Sequence, residues 1–541
     1  MSDNIGGSTT INIQYSALEN GSTIDKGASQ LRILLVYPNF QMSHLLLPAG
    51  ISILSACLKH AGFDTRLFDT TLYRPGGKSM DDVRMEMLQI KELSTDERSV
   101  GYKETNMLQD FIEILSEYQP DLAGVSLLQD TFPIALPLMR AAHNAGIPVL
   151  AGGIYPSFAP EDVIKEESVD MVCRGEGEMT IVELCKRMAV GTSYDDVANP
   201  WIKNSDGTIL KNSLGLAVDL NELPFPDYDN FEAQRFYRPM HGKLLRIMPI
   251  EMQRGCPYQC AFCEDPTQSR MYRAIGECYH RAKSPEKLLE ELRILVDKYQ
   301  AEYIYFNAET FFAMPNRYFV ELAHLYAEEI GLPFWMQTRP ETITEERVKL
   351  LKMMNVANIN IGLEHGNEEF RAKVLKRKMD NSLIVSGLRN LHEAGIPTTV
   401  NNIMGFPDET RELVFDTIEL NRHIQSATIN AYLFNPYKGT ELYQVCEEKG
   451  YLPGDEDQLV VDAFLSEGFP YFKTVLRMQT ISREELMGLQ RTFVLYAKLP
   501  RSEFPRVRIA EKFDDEGNNM FKTLRDEYLR GNYQHVEETS V

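Results

Sequence analysis

Three cysteines, Cys256, Cys260 and Cys263, lie within eight residues in the stretch Arg254-Gly-Cys-Pro-Tyr-Gln-Cys-Ala-Phe-Cys263. The C-x3-C-x2-C spacing puts three thiolate donors on one loop, and such soft donors suit an iron–sulfur cluster or zinc. A closed structural zinc site takes a fourth ligand at regular spacing. Cys278, 15 residues beyond Cys263, is the candidate for it. Three donors alone leave one iron of a cubane open, which makes a binding position for a small molecule. The other cysteines are scattered: Cys57, Cys173, Cys185 and Cys446 read as core residues.

A loop of this kind needs a rigid frame, and the flanking sequence supplies two β-α series. The first begins at Arg32-Ile-Leu-Leu-Val-Tyr37, an apolar run that suits a strand buried on both faces of a parallel sheet. A helix from Pro48 to His60 and strands at Thr65–Asp69, Leu122–Leu128, Pro148–Ala151 and Asp170–Cys173 continue it. The alternation predicts a doubly wound parallel sheet. The second series starts near Leu245. Strands are expected at Ile247–Met252, Tyr303–Phe306, Phe334–Gln337, Ile359–Leu363, Thr398–Ile403 and Ile429–Leu433. Six such units predict a partial (β/α)6, TIM-like barrel, with the cysteines just after its first strand. The fold class is therefore α/β, closed by a smaller, mainly α C-terminal domain with a helix over Ser482–Leu499. Boundaries fall as a flexible tail over 1–30, a first domain over 31–200, a proline-bearing linker over 201–244, the barrel over 245–440 and the C-terminal domain over 441–541.

Composition bounds the function. With 541 residues, 43% hydrophobic and 25% charged, the chain is globular in kind and long enough for several cores. A net charge of −22 repels phosphate backbones, which excludes general nucleic-acid binding. The N-terminus lacks a basic region followed by an apolar stretch, so no secretory signal is read. The stretch Leu45–Leu58 is too short for a membrane span. The expectation is a cytoplasmic protein. No dinucleotide fingerprint, P-loop or nucleophile elbow occurs.

The cysteine loop, with Phe262 at the aromatic position of C-x3-C-x-aromatic-C, resembles that of radical S-adenosylmethionine (SAM) enzymes. The resemblance implies that Cys256, Cys260 and Cys263 hold a [4Fe-4S] cluster. Its open iron binds SAM, which is cleaved to a 5′-deoxyadenosyl radical. Other strand-end stretches fit the same family. Asn307-Ala-Glu-Thr-Phe311 stands where the family keeps a glycine-and-acid motif; the glycines are missing and Glu309 is the match. Gln337-Thr-Arg339 ends the third strand. Ile361-Gly-Leu-Glu-His-Gly366 resembles a Gly-x-Glu-Ser-Gly stretch, with His365 in place of serine. Asn401-Asn-Ile-Met-Gly405 ends the fifth strand. Ligands gather at the C-terminal ends of parallel strands. The resemblance thus implies SAM contacts from Phe262, Glu309, Arg339, Glu364 and Asn401. The basic run Lys373, Lys376, Arg377 and Lys378 reads as a solvated helix face.

The first domain resembles the cobalamin-binding domain. Ser126-Leu-Leu128 and Gly152-Gly153 match its Ser-x-Leu and Gly-Gly elements, which implies that Ser126, Leu128, Gly152 and Gly153 line the corrinoid slot. Ala151-Gly-Gly-Ile-Tyr-Pro156 and Cys173-Arg-Gly-Glu-Gly-Glu178 resemble the form this domain takes before a radical SAM barrel. The Asp-x-His-x-x-Gly motif that supplies a histidine below cobalt is absent, and His44 reads as an ordinary loop histidine. The resemblance covers residues 31 to about 440. It implies a cobalamin-dependent radical SAM enzyme that methylates an unactivated carbon of a small-molecule substrate. An external flavodoxin- or ferredoxin-like protein would supply electrons. The alternatives are a cyclase or oxidoreductase like the anaerobic magnesium-protoporphyrin cyclase, which Arg477–Pro500 loosely resembles, and a corrinoid or redox sensor without turnover.

Overall fold

The computed structural model describes residues 31–39, 46–73, 80–91, 101–240, 242–453, 474–531 and 533. The expected tail over 1–30, and His44, lie outside the described residues.

Seven strands form the first sheet: β1 (Arg32–Tyr37), β2 (Asp64–Asp69), β3 (Leu122–Ser126), β4 (Val149–Gly152), β5 (Met171–Cys173), β6 (Pro200–Lys203) and β7 (Ile209–Lys211). Their order is β2-β1-β3-β4-β5-β6-β7. The first five are parallel, and the last two join antiparallel. Ile33, Leu34, Leu35 and Val36 of β1 are all essentially unexposed, because helices cover both faces. The helix Ala49–His60 ends where Gly62 takes φ +90°, a conformation open to glycine. Strand order reverses between β1 and β3, so the C-terminal edge beside them is the crevice where open α/β sheets bind ligands.

The second sheet contains β8 (Tyr237–Met240), β9 (Lys243–Glu251), β12 (Tyr303–Asn307), β13 (Phe334–Thr338), β14 (Val356–Glu364), β15 (Thr398–Met404) and β16 (Thr428–Leu433). A separate small ribbon pairs β10 (Gln253–Arg254) with β11 (Arg281–Ala282). The order β16-β15-β14-β13-β12-β9-β8 leaves β16 and β8 as edges, so the sheet curls as a partial barrel. Six strands are parallel; β8 pairs antiparallel with β9. Helices cap cleanly: Ser284 Oγ accepts from Lys287 N at 3.2 Å, with Pro285 in the first turn. The helix Arg483–Lys498 covers the outside of β16, where Gln490 Nε2 donates to Ala431 O at 2.9 Å.

The stretch expected as a linker over 201–244 is built into the fold. β6 and β7 carry the first sheet to Lys211, and β8 edges the second. Between them Leu220, Leu223 and Tyr228 are fully buried in an apolar cluster shared by both sheets. Tyr228 Oη donates to Pro249 O at 3.2 Å. Its prolines disfavour helix but do not prevent burial. Among the described residues no helix is long and apolar enough to cross a membrane.

Candidate active site

The cysteine loop is clamped where it begins. Arg254, the last residue of β10, bonds Glu251 at 2.9 Å, Glu176 at 3.1 Å and Glu178 at 2.6 Å. Arg281, its partner across the ribbon, also bonds Glu176. Glu176 and Glu178 belong to the first domain, and Tyr272 Oη accepts from Glu176 N at 2.9 Å. A buried ionic cluster therefore ties the first sheet to the start of the loop. The chain then turns at Gly255 (φ +79°), where a Cβ would stand 2.6 Å from the Tyr279 ring.

Cys256 and Cys260 are buried, and Cys263 is half-buried. Cys256 Sγ lies 3.6 Å from Thr310 Oγ1, and Cys263 Sγ lies 3.7 Å from Asp265 Oδ2. Cys260 Sγ accepts from Arg339 Nη1 at 2.9 Å, with Arg377 Nη1 3.8 Å away. Burial pushes the Cys256 thiol up to about 11 and the Cys263 thiol well above its ordinary value. Thiolates here therefore depend on positive charge brought by a metal and by the two guanidiniums. Among the described residues no three His, Cys, Asp or Glu side chains stand already gathered as a metal site. The donor chemistry still fits a cluster: three thiols share one loop, and two cations back Cys260.

The strand ends deliver the remaining residues unequally. Glu309, just beyond β12, is exposed on one side, with protein packed round the other. Burial, then the charge of Asp265, raises its carboxyl to about 8; burial, then Glu264, raises Asp265 to about 7. Arg339 lies over the Tyr258 ring at 3.9 Å as well as on Cys260. Glu364, at φ +68°, pairs with Arg377 at 3.8 Å, and burial raises its carboxyl. Asn401 lies deeper, accepting from Asn430 Nδ2 at 2.8 Å. His365 is fully buried and committed within the protein. Its Nδ1 accepts from Asn367 N at 3.1 Å, so Nε2 carries the proton and donates to Glu409 Oε1 at 2.9 Å.

The basic run divides. Lys373 and Lys376 are exposed as expected, but Arg377 is 3% exposed and turned to Cys260 and Gly362 O. The solvated reading fails for Arg377 because its helix ends before it and the chain folds back under the cysteine loop. Arg254, Glu176, Glu178 and Arg377 are the site residues that sequence reading missed. The signal for the first three was an arginine abutting the cysteine motif and two acids spaced by one glycine.

At the edge of the first sheet, the two adjacent glycines differ. Gly153 takes φ +106°, and a Cβ there would stand 2.6 Å from Leu127 O, so its glycine is required by the protein's own backbone. At Gly152 a Cβ would meet nothing nearer than the Cys173 Cβ at 3.8 Å. Nothing within the protein demands a glycine there, which fits a surface kept low for a flat ligand. Ser126 is half-buried beside it, and Leu128 is 48% exposed. The next residues reach the barrel. Gln129 Nε2 donates to Pro436 O at 3.2 Å, and Tyr437 Oη donates to Asp130 Oδ2 at 2.8 Å. Burial raises Asp130 to about 6.

A cavity of about 370 Å³ opens at this junction, lined by Met80, Phe262, Ile403, Tyr432, Phe434 and Tyr437 among others. Phe262 brings the cysteine loop to it, and Tyr437 ties it to the loop after β3.

Known proteins share this order of domains. Residues 42–185 match the B12 binding domain and residues 250–420 match the Radical SAM superfamily, in that order. An uncharacterised methyltransferase of Pyrococcus horikoshii is 25% identical over 350 residues, covering 64% of this chain and 73% of its own. The anaerobic magnesium-protoporphyrin IX monomethyl ester cyclase of Rubrivivax gelatinosus is 21% identical over 472 residues, covering 84% and 75%. Among solved structures, the radical SAM methyltransferase TsrM from Kitasatospora setae, with cobalamin and a [4Fe-4S] cluster bound, superposes with a TM-score of 0.61. It shares 15% identity and covers 92% of this chain and 99% of its own.

Proposed function

Because this chain belongs to the radical SAM enzymes that carry a B12-binding domain ahead of the barrel, we propose that it methylates an unactivated carbon of a small molecule. The observation that carries this reading is the cavity, which touches the cysteine loop through Phe262 and the corrinoid-domain loop through Tyr437. When bound, the cluster with SAM supplies a hydrogen-abstracting radical, and cobalamin supplies a transferable methyl group.

The chain's own residues bind, orient and shield. Cys256, Cys260 and Cys263 would hold the cluster, with Arg339 and Arg377 balancing its charge at Cys260. Glu309 and Glu364 carry raised carboxyls that an incoming ammonium group would return to the charged form, which supports a role for both at SAM, where Phe262, Arg339 and Asn401 would join them. Gly152 and Leu128 would meet the corrinoid, with Ser126 beside them; Gly153 keeps the turn that presents them. The aromatic wall of Phe262, Tyr432, Phe434 and Tyr437 would help to keep water from a reactive site. Electrons would come from an external flavodoxin- or ferredoxin-like donor.

A second reading, ring formation or oxidation, is favoured by the match to the cyclase over 84% of this chain. Anaerobic incubation with SAM, cobalamin and a reductant separates the two. Methyl transfer predicts S-adenosylhomocysteine beside 5′-deoxyadenosine. The cyclase reading predicts 5′-deoxyadenosine alone.

A further inference from the structure

The segment Asn435-Pro-Tyr-Lys-Gly-Thr440 follows β16 at one edge of the partial barrel and touches both the first domain and the cysteine loop. Toward the first domain it meets the loop just past Leu128. The Gln129 amide bridges two of its backbone groups: Nε2 donates to Pro436 O at 3.2 Å, and Oε1 accepts from Lys438 N at 2.9 Å. Tyr437 Oη donates to Asp130 Oδ2 at 2.8 Å, and Lys438 pairs with Asp162. Gly439 takes φ +89°, and a Cβ there would stand 2.7 Å from the Phe158 ring, so the close approach needs glycine. Toward the cysteine loop, Gly439 O accepts at 2.6 Å from Thr267 Oγ1, in the helix that follows Cys263. Leu442 N donates at 3.0 Å to the carbonyl of Ala261, which stands between Cys260 and Cys263.

One short stretch of chain thus joins the loop after β3 to the cysteine loop. The Glu176–Arg254 cluster is a second tie between the same two bodies, and it reaches the barrel just after β9. β9 lies next to the edge strand β8, and β16 is the other edge. The first domain is therefore held on both sides of the open barrel. One tie leaves rotation about itself, whereas two separated ties remove it. Domains joined by few contacts move relative to each other by default. Cofactors carried by different domains must meet at one substrate, and a displacement of about 1 Å can cost about 100-fold in rate.

We propose that the segment over 436–442 is a latch that fixes the corrinoid edge of the first domain relative to the cysteine loop, with Gln129, Asp130 and Tyr437 as its positioning residues. The latch rests on the cluster and the corrinoid of the function proposed above, and not on methyl transfer. Absence of cobalt from the loaded wild type would overturn the corrinoid role and the latch with it. Variants that load both metals and change nothing would overturn the latch alone.

The test is pulsed EPR of the cobalt-to-cluster distance in the full-length, cofactor-loaded protein, reduced so that both centres are paramagnetic. The wild type should give one narrow distance. The double variant Gln129→Ala with Asp130→Ala should lose it, with iron and cobalt per chain unchanged. Asp130→Asn keeps an acceptor for the Tyr437 hydroxyl and should keep the narrow distance. A purely structural role would lower the melting temperature and the metal content together and leave the distance of the loaded fraction unchanged, which would overturn the proposal. Where the double variant holds no cobalt, hydrogen–deuterium exchange of the cofactor-free proteins decides. The peptide over 434–442 should then exchange about tenfold faster than in the wild type, while β9 stays protected. A broad distance in the wild type, or unchanged exchange in the double variant, would equally overturn it.

Discussion

In the first sheet β1 buries Ile33, Leu34, Leu35 and Val36 in succession, so apolar side chains leave from both faces. In the second, β14 and β15 alternate: Ile359, Ile361 and Val400 are buried outward, while Asn358, Asn360, Thr399 and Asn401 stay half-exposed inside. Both sheets have a parallel, helix-covered centre, but only one keeps a wettable interior. The first sheet can therefore offer a ligand only its strand ends, where Gly152 and Leu128 stand. The second offers strand ends, where the cysteine loop begins, and an inner face of polar side chains. The ionic cluster of Glu176, Glu178, Glu251 and Arg254 holds the two edges in register.

Each part of this comparison can be broken by substitution. Changing Cys256, Cys260 or Cys263 to alanine should abolish cluster iron and SAM cleavage while cobalt loading persists, as metal analysis of each variant would show. Parallel loss of cobalt would mean that the two ends are not separate sites. Arg254→Gln leaves Glu178 and Glu251 buried without their paired cation, while Glu176 keeps Arg281, and should cost about 3–5 kcal/mol in denaturant unfolding. A neutral result would remove the clasp from the account. The glycine pair should divide: Gly153→Ala should destabilise by about 1–3 kcal/mol through backbone strain, whereas Gly152→Ala should leave stability within about 0.5 kcal/mol. If Gly152 faces a corrinoid, its variant should still bind cobalamin less tightly in a spectroscopic titration.

The smallest effect concerns pH. In the cofactor-free chain Glu309 is raised to about 8 by burial and Asp265 to about 7. The folded state therefore holds protons that the unfolded state releases above about 4.5. Stability should fall as pH rises from about 4.5 towards 8. Glu309→Gln should flatten that slope in thermal melts across the range, and an unchanged slope would show that Glu309 is not the group responsible.

Much of this was legible in the chain because it is local. Three cysteines on one loop, the β1 run and the capped helix at Ser284 are patterns within a dozen residues, and six barrel strands occur where their apolar alternation suggests. What was not legible is contact between distant segments. Glu176 and Arg254 are 78 residues apart, and Arg84 and Asn430 are 346 apart. Arg377 reads as one of four exposed cations, and only the fold shows that its turn lies beneath Cys260. The stretch over 201–244 has the prolines of a connector, yet Tyr228 is anchored by packing against β9 and the rest of a shared core. Gly152 and Gly153 are indistinguishable as letters; their different surroundings come from Leu127, just past the end of β3.

The most direct test of the account is metal analysis of the full-length protein. The chain would be purified anaerobically, reconstituted with iron, sulfide and hydroxocobalamin, and freed of unbound cofactor. One cluster beside one corrinoid predicts about four irons and about one cobalt per chain. Iron without cobalt would contradict the role given to the Gly152 edge, and zinc in place of iron would contradict the reading of the cysteine loop.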